Sequence, residues 1–139
     1  MRNRIMVFIP MYNCEKQISR VLNKFSNIEK NLFEEIVVVD NISPDNSVKN
    51  AISALEQLTG FKTTLLINHK NYNLGGSIKV AFNYAIKKDY DYMITLHGDD
   101  QGDIRDIISY IKSGSYSEHD IVVGARFHKD SKLQGYSLV

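Results

Sequence analysis

The segment Glu34 to Asp40 holds Ile36, Val37, Val38 and Val39 in unbroken succession. A strand with no polar residue in its middle has both faces covered, so this run points to a parallel sheet layered between helices. Arg4 to Pro10 is a second apolar run rich in β-branched residues, and between the two Ile18, Val21, Leu22, Phe25 and Ile28 recur at helical spacing. Val48, Ala51, Ile52, Leu55 and Leu58 repeat those offsets, with Ser43 placed to cap the helix and Pro44 at its first position.

The alternation continues as far as Gly124. Phe61 to Ile67 predicts a third strand, Ile78, Ala81, Phe82 and Ala85 a third helix, and Tyr92 to Leu96 a fourth strand. Ile104, Ile107, Ile108 and Ile111 line a fourth helix, Asp120 to Gly124 predicts a fifth strand, and residues 126–139 show no usable period. Strands alternating with helices of this length imply an α/β fold, a doubly wound, mostly parallel sheet with helices on both faces. At 139 residues and 43% hydrophobic composition, the expected organisation is a single domain over residues 1–139 with a sizeable core.

Composition removes several function classes. Lys plus Arg number 17 against 16 Asp plus Glu with no long basic block, which speaks against nucleic acid as a partner. The longest apolar run, Ile5 to Met11, is far below the roughly 20 residues of a membrane-spanning helix. Pro10, Asn13 and Glu15 interrupt that run and no small-residue cleavage site follows, so the expected location is the cytoplasm. Cys14 is the only cysteine, which excludes an internal disulfide and a multi-cysteine zinc site and makes it a spectator thiol.

In doubly wound sheets ligands bind beyond the carboxyl ends of the strands. There stand Pro10-Met11-Tyr12-Asn13-Cys14-Glu15, Asp40-Asn41-Ile42-Ser43, and His97-Gly98-Asp99-Asp100-Gln101-Gly102-Asp103. Asp40 and Ser43 are equally good as turn and cap residues and as ligands. Three carboxylates and an amide oxygen within five positions call for a cation or for hydrogen-bond donors, and oxygen ligands suit Mg²⁺ or Mn²⁺; the alternative is a solvated acidic helix start. Asn71 to Ser77 opens the third helix with Gly75 and Gly76, where a helix N-terminus can receive a phosphate. It is neither a G-x-G-x-x-G fingerprint nor a P-loop.

Five ordered segments together resemble family-2 glycosyltransferases of the GT-A fold, whose nucleotide-binding half is Rossmann-like, and most closely the dolichyl-phosphate mannosyltransferase-like (polyprenyl-phosphate sugar transferase) branch. Val7 to Glu15 resembles the strand and turn "P-x-Y-N-E-E"; Val37 to Ser47 resembles "V-V-D-D-G-S-x-D-x-T"; Asn71 to Ala85 is similar to "N-x-G-x-G-G-A" and its helix. Tyr90 to Gln101 resembles "Y-D-y-v-i-t-l-D-x-D-x-Q", and Val123 to Phe127 resembles "G-S-R-F".

The resemblance implies transfer of a sugar from a nucleotide-diphosphate-sugar donor, possible lipid-phosphate or glycan acceptors, and a peripheral place at the cytoplasmic membrane face. It implies a nucleotide-sugar site of Pro10, Tyr12, Asn13, Glu15, Asp40, Asn41, Gly75, Gly76, Asp99 and Arg126, with Asp99 the catalytic residue. It places Mg²⁺ or Mn²⁺ on the diphosphate, held by Asp99 and Gln101, with His97 either a third ligand or a histidine hydrogen-bonded at a strand end. Arg126 suits a phosphate or, equally, an ion pair. Four positions depart from the pattern: Asn41 stands for Asp, Ile42 for Gly, Asn73 for Gly and His97 for Asp. The family's domain usually continues past the last matched strand, so the acceptor side is expected to be truncated here. A non-catalytic nucleotide-sugar-binding or partner-binding module of the same fold is the alternative. A receiver-like domain would need an Asp after the third strand, where Asn68 and His69 stand.

Overall fold

A computed structural model describes residues 3–125 and 127–131. Its first strand, β1 (Ile5–Met11), leads to α1 (Ile18–Asn23), which tightens into a 3₁₀ turn over Lys24–Asn27; then come β2 (Glu35–Asp40), α2 (Ser47–Gln57) and β3 (Thr63–Ile67). The 15-residue α3 (Asn73–Lys87) precedes β4 (Tyr92–Thr95), and a 3₁₀ turn at Ile104–Ile107 runs into α4 (Ile108–Ser113). The strands are all parallel in the order β3-β2-β1-β4. The expected doubly wound sheet is what forms, with the two most apolar strands at its centre.

Alternation along β1 and β2 divides the core. Val7, Ile9, Ile36 and Val38 face α1, α2 and α4, packing with Ile18, Val21, Leu22, Phe25, Ala51 and Ile111. Met6, Phe8, Val37 and Val39 face α3, which meets them through Ala81 and Ala85. Small side chains on that helix let it approach the sheet closely, which is why one helix suffices over the two central strands. Every residue of β1 and β2 is buried, as both-sided coverage demands.

At the end of the sheet opposite the cleft described below, Glu35 is fully buried. Its carboxylate accepts from Thr64 (2.5 Å), Tyr84 (3.0 Å) and Tyr90, and pairs with Lys62 at 3.1 Å. Burial alone would raise its carboxyl, but these donors outweigh it and hold the group below the ordinary range.

Four local expectations are corrected. Ser43 does not cap α2: the helix begins at Ser47, and Ser43 is taken by Asp40. Phe82 and Ile52, expected on buried helix faces, are 51% and 44% exposed. The fourth helix is a 3₁₀ turn followed by six α-helical residues. Asp120 to Gly124 forms no strand; Ile121 and Val123 are 81% and 80% exposed. An apolar β-branched run becomes a strand only where a neighbour completes its ladder, and none of the described residues does so.

Candidate functional site

The carboxyl ends of the strands open onto a cleft of about 280 Å³. Its walls are Pro10, Met11, Tyr12 and Cys14 after β1, Asn41 after β2, Asn71, Asn73, Leu74 and Ser77 at the start of α3, and His97 and Asp99 after β4. Of the residues expected from sequence, Pro10, Tyr12, Asn41, His97 and Asp99 are thus brought together. Asn13 and Glu15 line a neighbouring depression with Asp45. Asp40 is not among the cleft walls and is 1% exposed. Gln101 is exposed beside Asp99, to which its N–H donates at 3.2 Å. Arg126 lies outside the described residues.

Each strand leaves the sheet through a turn with one non-glycine residue in the left-handed region: Asn13 (φ 56°), Ile42 (φ 61°), Asn73 (φ 57°) and Asp100 (φ 67°). Asn and Asp tolerate that conformation, but a β-branched residue does so only under strain, and Ile42 is held there by its neighbours. Asp40 accepts from the Ser43 hydroxyl at 2.5 Å and the Ser43 N–H at 3.1 Å, and Ser43 Oγ in turn accepts from the Asn13 N–H at 3.0 Å. The β1 and β2 turns are therefore one hydrogen-bonded unit.

Glu15 and Asp45 extend that unit to the start of α2. Asn46 donates its N–H to Glu15 at 2.9 Å, and the Glu15 N–H donates to Asp45 at 3.0 Å. Asp45 also accepts from Ser47. Burial would raise the Asp45 carboxyl, but the Ser47 hydroxyl and N–H outweigh it and hold it low. Two carboxylates at a helix N-terminus also suit the macrodipole. Cys14, buried, donates its thiol to the Tyr12 carbonyl; burial pushes its titration up, so it is an unreactive wall.

Sequence reasoning missed an amide network on the other wall. Asn41 Oδ1 accepts from Asn68 Nδ2 and from the Tyr72 N–H, both at 2.9 Å, while Asn41 Nδ2 donates to Asn71 Oδ1 at 2.7 Å. Asn68 donates also to Ser77 Oγ at 3.0 Å, and Asn71 Oδ1 accepts from the Asn73 N–H at 2.9 Å. The signal was the asparagine spacing at 68, 71 and 73 immediately after a strand. Gly76 is required there, because a Cβ would sit 2.3 Å from that of Tyr72, whereas Gly75 faces open space. Across the cleft, Gly98 lets β4 close on β1: its N–H donates to Pro10 O at 3.1 Å, and a Cβ would lie 2.9 Å from that oxygen.

In the acidic turn after β4, two of the three carboxylates are met by donors of the protein itself, one of the two possibilities their crowding left open. Asp100 pairs with Lys24 at 2.7 Å and Arg20 at 2.9 Å, and Asp103 with Lys24 at 3.5 Å and Arg105 at 2.5 Å. Burial would raise Asp100, but Lys24 and Arg20 outweigh it; hydrogen bonds from Arg105 bring Asp103 down to about 2. Protein cations neutralise two of the three carboxylates, and only Asp99 turns to the cleft. Among the described residues no group of three His, Cys, Asp or Glu could by itself hold a metal ion.

The sequence matches the description "Glycosyl transferase family 2" over residues 6–139. It is 29% identical over 132 residues to the undecaprenyl-phosphate 4-deoxy-4-formamido-L-arabinose transferase of Photorhabdus laumondii, covering 94% of this chain and 39% of that protein. To the dolichol-phosphate mannosyltransferase of Pyrococcus furiosus it is 27% identical, covering 96% and 36%. The chain thus spans well under half the length of these two relatives. Among solved structures, the mannosyltransferase PcManGT of Pyrobaculum calidifontis, in complex with GDP-Man and Mn²⁺, superposes with a TM-score of 0.62 at 21% identity over 71% of this chain and 28% of its own. S. aureus TarS 1-349 in complex with UDP-GlcNAc gives 0.58 at 23% identity over 79% and 31%. These likenesses show the GT-A fold; with a family match running almost from end to end, the chain belongs to glycosyl transferase family 2.

Proposed function

We propose that this chain forms the donor-binding part of an enzyme that moves a sugar from a nucleotide-diphosphate donor to a polyprenyl phosphate at the cytoplasmic face of a membrane. The observation that carries the reading is the meeting of an amide-lined cleft, walled by Asn41 and Asn71, with the exposed carboxylate of Asp99 at one end of a GT-A sheet. The relatives' names supply the acceptor class, and the described residues contain no helix long and apolar enough to cross a membrane.

In this reading Tyr12, half exposed, offers its ring to the base, and Pro10 shapes the wall behind it. Both lone-pair sites of Asn41 Oδ1 are spent on Asn68 and Tyr72, so the second hydrogen of its Nδ2 is what remains for the nucleoside. Asn13, Glu15 and Asp40 act by fixing the turns that present these groups. The open space at Gly75 and the N–H groups at the start of α3 receive the diphosphate, with Gly76 keeping that turn closed on Tyr72. Arg126 supplies a guanidinium to phosphate.

Asp99, with the Gln101 amide and the His97 imidazole, fits a divalent ion that takes its remaining ligands from diphosphate and water. When bound, such an ion stabilises the charge developing on the nucleoside diphosphate as the anomeric bond breaks. An imidazole in the donor set favours Mn²⁺ over Mg²⁺. A polyprenyl phosphate is already ionised, so its attack needs no protein base.

A thermal-shift series with uridine, guanosine and thymidine diphosphates, each with and without Mn²⁺, tests the donor half. One of them at 100 times its dissociation constant stabilises the chain by about 2.7 kcal/mol. If none shifts the melting temperature under either condition, the reading fails. His97, at an acidic position of the family pattern, favours a second reading, a binding module without turnover. Release of nucleoside diphosphate in the presence of polyprenyl phosphate eliminates it.

A further inference from the structure

Residues 57–88 contain five lysines and no aspartate or glutamate, so all 16 acidic residues of a chain with net charge +1 lie elsewhere. The lysines are spaced too widely to read as a basic block, and the fold is what gathers them. Lys62 is spent on Glu35, but Lys70, Lys79, Lys87 and Lys88 are all exposed and none pairs with a carboxylate among the described residues. Three of these four lie on α3 or at its carboxyl end.

The solvent face of α3 is not simply polar. Phe82 and Ile86, one turn apart, are 51% and 74% exposed, while the adjoining face of the helix buries Ala81 and Ala85 against the sheet. Residues at i and i+4 share a helical face, and Lys79, three residues before Phe82, falls beside them. An aromatic and a β-branched side chain projecting together from a helix that carries lysines and no carboxylate form the pattern of an interfacial contact. Apolar groups enter the acyl boundary while ammonium groups meet anionic headgroups. Nucleic acid would draw on the lysines but has no use for exposed Phe82 and Ile86.

We propose that the solvent face of α3, centred on Phe82 and Ile86, docks on an anionic lipid surface. The proposal deepens the acceptor half of the function above and rests on it for its purpose, since α3 begins at the donor cleft with Asn73 and Leu74 and would hold that cleft beside the membrane. The binding itself stands on the surface chemistry alone.

The chain contains no tryptophan, so Phe82→Trp introduces a fluorophore without background. With vesicles containing phosphatidylglycerol its emission should shift to the blue, with little change on pure phosphatidylcholine. In co-sedimentation the unmodified chain should partition at least roughly tenfold more onto the anionic vesicles, and each Lys79→Glu or Lys87→Glu change should cost about fivefold or more. Phe82→Ser with Ile86→Ser should lower partitioning by about tenfold.

Equal binding to both vesicle types, no binding to either, or full retention by the Phe82→Ser/Ile86→Ser variant overturns the proposal, the last outcome leaving only a charge patch. If instead the chain dimerises without lipid and that variant is monomeric, the face belongs to a second copy and the proposal also falls. The nucleoside diphosphate and Mn²⁺ thermal shift, measured on the same variants, separates this result from the donor reading. It should be unchanged in them, and its loss in the unmodified chain would sink the donor reading while leaving lipid binding to stand.

Discussion

The ammonium of Lys24 sits 2.7 Å from Oδ1 of Asp100 and so ties the 3₁₀ extension of α1 to the turn that carries Asp99. The same ammonium reaches Gly102 O at 3.3 Å and Asp103 at 3.5 Å. One buried-stem lysine thus organises the whole acidic turn. Neighbouring carboxylates take different duties because two of them have cations and the third faces the cleft.

This division predicts opposite phenotypes for adjacent residues. Asp99→Ala should weaken Mn²⁺-dependent nucleoside diphosphate binding by at least about tenfold, as loss of a metal-site contact does, with an unchanged melting temperature. Asp100→Asn, which keeps a residue tolerant of the left-handed φ of 67°, should cost about 1–2 kcal/mol of stability, above the value of an exposed pair because both side chains are four-fifths buried. Calorimetric titration and thermal melts of the two variants decide the matter, and equal affinity losses would show that Asp99 has no special position.

Acid removes the Asp103 pairing only at the low end of the pH range. Arg105 donates to Asp103 through Nε at 2.9 Å and Nη2 at 2.5 Å, and its carboxyl falls to about 2. The folded value lies below the unfolded one, near 3.9, so the pairing stabilises the fold above that pH and is lost as pH drops from about 4 toward 2. Asp100, also lowered, adds to the slope in the same direction. Melting temperatures between pH 2.5 and 7 should fall less steeply in Asp103→Asn than in the unmodified chain over that window, and parallel curves would contradict the assignment.

The sheet was legible because its central strands carry an uninterrupted apolar signal that survives any choice of side-chain partner. The site was legible only in part. Asp99 and Tyr12 could be placed at strand ends, but burial of Asp40 under its own turn depends on how two turns meet, which no single segment encodes. Asn68 could not be assigned a role until β3 had been set beside β2, because its partners Asn41 and Ser77 lie 27 residues before it and nine after. Asp120 to Gly124 misled for the complementary reason: the segment has strand chemistry, but pairing is a property of two segments.

Ile42 offers a test of strain at the site. Its φ of 61° is a conformation that costs a side-chain-bearing residue roughly 1–2 kcal/mol, a cost glycine avoids. Replacing it with either small residue removes the same packing, so the comparison that isolates the backbone is Ile42→Gly against Ile42→Ala. The glycine variant should be the more stable by about 1 kcal/mol, the reverse of their order at a right-handed position. Chemical denaturation of the pair reads this directly; an alanine variant as stable as the glycine one would mean that the turn relaxes out of the left-handed region.

His97 shares the cleft wall with Asp99 and stands where the family pattern has an acidic residue. A carboxylate there adds charge and an oxygen ligand suited to a hard cation, whereas an imidazole supplies one neutral nitrogen. His97→Asp should therefore raise the Mn²⁺-induced increase in melting temperature and extend the response to Mg²⁺. The substitution also adds a negative charge beside Asp99, so the metal-free protein should melt lower, since no new cation accompanies it. The two effects separate when unmodified chain and variant are melted with and without Mn²⁺: the increment reports the metal, and the metal-free value reports the repulsion. An increment that is unchanged or smaller in His97→Asp would place this residue away from the metal and leave Asp99 and Gln101 as the ligands.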